Sequence, residues 1–174
     1  LSHRGQEPEN GVLYIVGTPI GNLNDISPRA INILKNVNLI ACEDKRNTKK
    51  IMNTFCIKNK ITSFNEHNSI IKTQDIISEL NNDKSVALVS DAGMPLICDP
   101  GENLISQCRE HSLEIISIPG PCAATTAITS SGFHSSKFTF LGFLPRKKIE
   151  REKLLLNISN SPISVIIYES PHRL

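Results

Sequence analysis

Three strings of small, turn-forming and acidic residues carry most of the side chains able to do chemistry. The first, Gly17-Thr18-Pro19-Ile20-Gly21-Asn22-Leu23, follows an apolar run. It is neither G-x-G-x-x-G nor a phosphate loop, which needs Lys and Ser/Thr after its last glycine, so ATP or GTP hydrolysis is disfavoured. The second, Ser90 to Gly101, is too long for a minimal connection. Ala92 and Gly93 let the backbone approach a ligand closely, while Pro95 and Pro100 stiffen the loop, a combination that suits a polar cofactor. Asp91 at its start can accept from a ribose hydroxyl or an ammonium group, or serve as a turn residue. The third, Ile118 to Ala127, opens a helix with small residues that pack closely on a sheet or on a flat ligand. Cys122 within it reads as a small filler rather than a nucleophile, because no Lys, Arg or partner His flanks it.

A further string, Ala41-Cys42-Glu43-Asp44-Lys45-Arg46-Asn47-Thr48, ends another apolar run. Its acids stand where a dinucleotide fold places a ribose-binding carboxylate. Lys45, Arg46, Lys49 and Lys50 form a basic patch, and Arg146, Lys147 and Lys148, continued by Arg151 and Lys153, form a second. Such patches are either solvated faces or phosphate contacts. Ser63 to Asn68 closes the next apolar run with side chains able to hydrogen-bond a base or sugar, His67 among them.

These loops need a scaffold, and the hydrophobic pattern supplies one. Short β-rich runs alternate with amphipathic stretches: Val12–Val16 then Pro28–Lys35, Leu39–Cys42 then Thr48–Phe55, Ile61–Phe64 then Ser69–Leu80, Ser85–Val89 then Asp99–His111, Glu114–Ile118 then Ala123–Ser131. Five βα repeats predict an α/β fold with a mostly parallel sheet and helices on both faces. Ser27-Pro28 opens the first helix, and Asp99, Pro100 and Glu102 match a capping box at the fourth. Ligands of such sheets sit beyond the carboxyl ends of the strands, where all of these loops fall.

Residues 1–11 are polar and without period, so a flexible arm is expected there. Residues 12–132 form the expected first domain. Phe138–Phe143, the charge-dense stretch from Arg146, and Ile163–Tyr168 read as the first part of a second α/β domain over 133–174, incomplete at its end.

Composition narrows the function classes. The chain has 174 residues, 39% hydrophobic and 21% charged, which is enough to bury a core. No Trp and 5% aromatic residues argue against a binder of single strands by stacking. A net charge of +2 confines any anionic partner to a local surface. Five scattered cysteines and five histidines lack metal-ligand spacing, so neither a metal nor a disulfide framework is expected. No run approaches the roughly 18 apolar residues of a membrane span, and a cytoplasmic chain without a leader or membrane anchor is expected.

Taken together the motifs resemble one family. Val16–Ser27 (V-G-T-P-I-G-N-L-N-D-I-S), Ala41–Thr48, Ser90–Gly101 (S-D-A-G-M-P-L-I-C-D-P-G), Ile118–Ala123, Phe140–Lys147 and Tyr168–Arg173 (Y-E-S-P-H-R) look like the ribosomal RNA small-subunit methyltransferase I family, of the tetrapyrrole methylase superfamily. The resemblance implies a class III S-adenosylmethionine (SAM) methyltransferase that modifies the ribose 2′-oxygen of a cytidine in the decoding region of 16S rRNA. It further implies a homodimer acting on the rRNA or the small ribosomal subunit, with SAM between two α/β domains. Carried over by position, SAM would meet Pro19, Ile20, Asp91, Ala92, Gly93, Pro95, Cys122, Ala123, Tyr168 and Glu169. Lys45, Met94 and Cys98 depart from the family pattern and affect only the fine shape of the sites.

Methyl transfer from a sulfonium is an in-line displacement dominated by positioning, yet the hydroxyl must lose a proton. Glu43, Asp44 and His67 are the candidate bases. Lys45, Arg46, Lys49, Lys50, Arg146, Lys147 and Lys148 are the candidate RNA contacts. A class III methyltransferase of a tetrapyrrole or protein, and an RNA-binding remnant without transfer, are the competing readings. SAM binding followed by a methyl count on rRNA separates them.

Overall fold

The computed structural model describes residues 7–134 and 136–173. The chain forms two compact units, the first running to Pro121 and the second starting at Cys122.

The first unit alternates strands and helices: β1 (Val12–Val16), α1 (Pro28–Asn36), β2 (Leu39–Cys42), α2 (Lys45–Thr54), β3 (Ile61–Ser63), α3 (Ser69–Asn81), β4 (Val86–Val89), α4 (Glu102–Glu110) and β5 (Glu114–Ile118). A short 3-10 turn, Leu23–Asp25, precedes α1. The five strands form one sheet in the order β3-β2-β4-β1-β5, and every pair is parallel. The expected α/β fold with a parallel sheet flanked by helices is therefore the observed one.

Burial follows the strand period. β1 is buried along its whole length because it lies between two neighbours and under helices on both faces. Val12, Tyr14 and Val16 join a core with Ile33 of α1 and Met52 of α2, while Leu13 and Ile15 join another with Ile76 of α3 and Leu104 of α4. The edge strand β5 alternates instead, with Glu114 and Ser117 exposed and Ile116 and Ile118 buried.

Ser27 caps α1 as expected, its hydroxyl accepting the Ala30 N–H at 3.0 Å ahead of Pro28 in the first turn. The capping box at α4 does not form. That helix starts at Glu102 behind Gly101, whose φ of 141° sets the entry with no side-chain cap, and Asp99 is left to other work. Helix α2 starts at Lys45, three residues earlier than the hydrophobic period suggests, because Asp44 caps it by accepting the Arg46 N–H.

Residues 1–6, most of the expected flexible arm, lie outside the described residues. From Glu7 the chain is held: the Glu7 carboxylate accepts from Arg29 Nε at 2.7 Å, and the Glu9 N–H donates to the Tyr14 hydroxyl at 2.7 Å.

The second unit comprises α5 (Ala123–Ser130), β6 (Phe138–Phe143), α6 (Lys148–Ser159), β7 (Ser164–Tyr168) and a 3-10 turn at Pro171–Arg173. Strands β6 and β7 pair in parallel, with a register shift between Phe140 and Phe143 next to Gly142 at φ 65°. Helix α5 groups with this unit because it packs on β7, which moves the division ahead of the residue 132 boundary read from composition. Among the described residues no helix is long and apolar enough to cross a membrane.

Candidate active site

The loops after β1, β4 and β5 meet at the carboxyl edge of the sheet. Thr18 and Gly93 exchange backbone hydrogen bonds of 2.9 and 3.0 Å, an isolated antiparallel bridge that staples the first loop to the long one. The buried Thr18 hydroxyl adds a bond to the Ser90 carbonyl at 3.2 Å. The β5 loop closes against the same point: a Cβ built on Gly17 would stand 2.7 Å from the Gly120 Cα, inside any tolerable contact. Only glycines allow that approach.

The long loop turns repeatedly through left-handed backbone, at Gly93 (φ 87°), Leu96 (73°), Cys98 (69°) and Gly101 (141°). Left-handed conformations at Leu and Cys are costly and persist where packing over-determines them. Leu96 illustrates this, its side chain lying over Gly101 where a Cβ would clash at 2.7 Å.

Beneath the loop a cavity of about 500 Å³ is lined by Glu43, Phe64, Glu66, Leu96, Asp99 and Glu102, among others. Burial raises the Glu43 carboxyl, and the nearby Asp99 and Asp91 charges add to the rise. Burial likewise raises Asp99, partly offset by the Ser90 hydroxyl, while the Asp91 charge raises it further. Both groups thus hold a proton more readily than ordinary carboxyls.

Glu43 and Asp91 belong to the loops of neighbouring strands, and Asp91 ties its loop to the start of α2 directly after Glu43. The Asp91 backbone lies close enough to the Glu43 carboxylate to oppose part of that rise. The Asp91 carboxylate accepts the Asp44 N–H at 3.1 Å and, through its other oxygen, the Asn47 side-chain amide at 2.9 Å.

Of the three candidate bases only Glu43 lines the cavity. Asp44 caps α2, and its bonds with the Arg46 side chain and N–H hold it at about 2. His67 sits exposed in the β3–α3 turn, its backbone N–H bonded to Asn65. Lys45, Arg46, Lys49 and Lys50 all lie exposed along α2. Arg46 is committed to Asp44, and Lys50 donates to the Asn47 side-chain oxygen at 3.2 Å.

Pro19 is buried, Ile20 half-buried, and Gly93 and Pro95 buried, whereas Ala92 is exposed. In the second unit the Ala124 N–H donates to the Tyr168 hydroxyl at 3.1 Å, which fixes β7 against the first turn of α5. Burial pushes the Cys122 thiol up, but donors from Thr125, Ala124 and the Tyr168 hydroxyl outweigh it and leave the thiol below its usual value. Glu169 accepts the Ser170 N–H at 2.8 Å and pairs with Arg173 at 3.0 Å. Arg146, Lys147 and Lys148 are exposed at the start of α6, with Lys147 3.1 Å from Glu150 and Lys148 3.8 Å from Glu152.

Asp99, Glu66 and Asn47 are functional candidates that sequence reasoning misses. Asp99 reads as a cap in its Asp-Pro-Gly context. Glu66 stands beside a histidine that is the more conspicuous base, and Asn47 has a one-turn spacing from Asp44 as its only local signal.

Comparison with known proteins places this arrangement. The model of the Tetrapyrrole (Corrin/Porphyrin) Methylases matches residues 12–174. The chain is 47% identical over 163 residues to the ribosomal RNA small subunit methyltransferase I of Vibrio cholerae, covering 94% of this chain and 57% of that protein. It is 48% identical over 164 residues to the protein of that name from Thermotoga maritima, covering 94% of this chain and 73% of the relative. For the Escherichia coli O157:H7 protein of that name the figures are 44% over 172 residues, 99% and 60%. The chain thus spans about three fifths of the length of most of these relatives. Among solved structures, uroporphyrin-III-C-methyltransferase from Thermus thermophilus shares the fold, with a TM-score of 0.60 at 16% identity over 84% of this chain and 74% of that one. On the family match and on 48% identity to a relative of which it covers nearly three quarters, the chain belongs to the tetrapyrrole methylases, among the ribosomal RNA small subunit methyltransferases I.

Proposed function

We propose that this chain carries SAM-dependent methylation of ribosomal RNA, with the ribose 2′-oxygen of a cytidine in the 16S decoding region as acceptor and a cytoplasmic homodimer as the working form. The observation that carries the reading is the Glu43 carboxyl, half-buried in the wall of the cavity at the sheet's carboxyl edge. The rRNA assignment is supported by the names of the relatives above.

The residues present fit the cofactor. Gly93, at a φ of 87° that favours glycine, lies where all three loops come together, its missing Cβ position within contact of Ile20 Cγ2 at 3.4 Å and the Pro121 carbonyl at 3.5 Å. When bound, SAM supplies a methyl group on a positively charged sulfur. Pro19, Ile20, Ala92, Gly93 and Pro95 would hold it from the first unit, and the Asp91 charge favours a cation nearby. In the second unit Cys122, Ala123, Tyr168 and Glu169 are the candidates for the same ligand.

Glu43 is the general base of this reading. It accepts the hydroxyl proton as the oxygen attacks, and its raised affinity for a proton brings it nearer to neutral pH than an ordinary glutamate. Asp44 is too weak a base at about 2, and His67 stands outside the cavity lining. The α2 lysines are the candidate phosphate contacts beside the acceptor, keeping the RNA backbone off the acidic wall.

The test incubates small-subunit rRNA with the protein and SAM, then maps the RNA by mass spectrometry. One added methyl on a decoding-region cytidine is expected. Glu43→Gln should cut the rate by about 10²-fold or more while calorimetric SAM affinity stays within about twofold. A parent protein that binds no SAM and adds no methyl to the rRNA would overturn the proposal.

A further inference from the structure

We propose that Asn47 is a positioning residue for methyl transfer: through Asp91 it locks the β2 and β4 loops together and so aims the Glu43 carboxylate into the cavity. The inference rests on the reading of Glu43 as the base.

The geometry is two bonds to one carboxylate, with Glu43 next in the chain to one of the donors. Asn47 lies in the first turn of α2, and its amide nitrogen donates to one Asp91 carboxylate oxygen at 2.9 Å. The other Asp91 oxygen accepts the Asp44 N–H at 3.1 Å. The Asp91 backbone lies close to the Glu43 carboxylate. Lys50, donating to the Asn47 side-chain oxygen at 3.2 Å, fixes which end of the amide faces Asp91. A carboxylate with both oxygens bonded to donors at the start of one helix cannot rotate without losing both bonds, so Asp91 holds the backbone directly after Glu43 in one place.

Strand pairing cannot do this alone. The β2–β4 ladder ends at Cys42 and Val89, so beyond it side-chain bonds must hold the two loops. The α2 lysines lie on the outer face of the helix, and nothing in their role as phosphate contacts calls for an amide at position 47. The charged groups facing Glu43 are Asp91 and Asp99 of the long loop and Asp44 beside it, with Glu66 and Glu102 on the same cavity wall. All are acidic. Loosening that hydrates Glu43 removes the largest cause of its raised proton affinity, and moving it away from the Asp99 and Asp91 charges removes the next two. Together these outweigh the loss of the opposing Asp91 backbone contact and bring the group down towards a free glutamate.

The experiment titrates the Glu43 side-chain carboxyl by 13C NMR in the whole chain and in Asn47→Ala, alongside the pH profile of methyl transfer and the affinity for SAM. In Asn47→Ala the Glu43 midpoint should fall by about half a unit or more, and the acidic limb of the kcat profile should move with it. Affinity for SAM should stay within about twofold, and exchange of the Asp44 amide should quicken about tenfold. Asn47→Gln retains a displaced donor, should give an intermediate midpoint, and carries the test if the alanine variant fails to fold. An unmoved Glu43 midpoint in a folded variant would overturn the positioning role. Methyl transfer at the parental rate by Glu43→Gln would instead remove the base assignment, and the NMR result would still decide whether Asn47 holds that carboxyl.

Discussion

The Tyr168 hydroxyl accepts the Ala124 N–H at 3.1 Å and also lies within hydrogen-bonding reach of the Cys122 sulfur, so one phenol joins β7 to the uncapped first turn of α5. Its ring is held edge-on against Phe140 and Phe143, with centroids 4.8 and 5.8 Å away. Tyr168→Phe keeps the ring contacts and removes the hydroxyl. The cost should be about 1 kcal/mol, seen as faster hydrogen exchange at Ala124. The Cys122 thiol should also rise in pKa, so that its alkylation at neutral pH, followed peptide by peptide, slows. An unchanged alkylation rate would mean the phenol does not support the thiolate.

Glu43 and Asp99 set a second expectation. Their carboxyls bind protons more tightly in the folded chain than in the unfolded one, so ionising them works against folding. Stability should therefore fall as pH rises from the ordinary carboxylate range through their raised values. Glu43→Gln should be more stable than the parent at pH 7, with the advantage vanishing in acid below the ordinary glutamate value. A thermal melt series from pH 4 to 8 checks this, and a variant less stable at neutral pH would contradict it.

The glycine contact between the first and third loops gives a clean pair of variants. Gly17→Ala drives a methyl group into the Gly120 backbone and the Met94 sulfur, both at 2.7 Å. Overpacking of this kind costs about 1–3 kcal/mol, and SAM affinity should drop with it as the loops part. A Cβ at Gly21 meets nothing within 4 Å, so Gly21→Ala should leave both melting temperature and SAM binding unaltered.

On α2 the basic residues are not equivalent. Arg46 is tied to Asp44 and Lys50 to Asn47, which leaves Lys45 and Lys49 as the better phosphate partners. Replacing Lys45 and Lys49 with alanine should flatten the plot of log affinity for single-stranded RNA against log salt, by about 0.7 for each phosphate that is no longer neutralised. Replacing Arg46 alone should change it less. A double mutant with the parental slope would make this helix face a solvated one.

Much of this is legible in the sequence because the first unit obeys local rules. A fully apolar β1 marks a strand covered on both faces, and Ser27-Pro28 marks a helix start, since each depends on residues close in the chain. The early start of α2 is hidden because Asp44 reads equally as a ligand carboxylate and as a cap. Asp99 misleads in the same way, because a left-handed Gly101, not the preceding carboxylate, opens α4. The bond from Asn47 to Asp91 has no sequence signature at all. It joins residues distant in the chain that come together only through the order of the strands.

That order also has a kinetic side. β1 is made first yet sits between β4 and β5, so its hydrogen bonds to both neighbours wait for residues up to Ile118. During synthesis the Val-Leu-Tyr-Ile-Val segment emerges with neither edge paired and no sheet to lie in. At ~5–20 residues per second the wait lasts roughly 5–20 s, long on the scale of hydrophobic collapse. A nascent chain halted before Val86 should hold this segment open to chaperone capture, and one extended past Ile118 should release it in a single cooperative step.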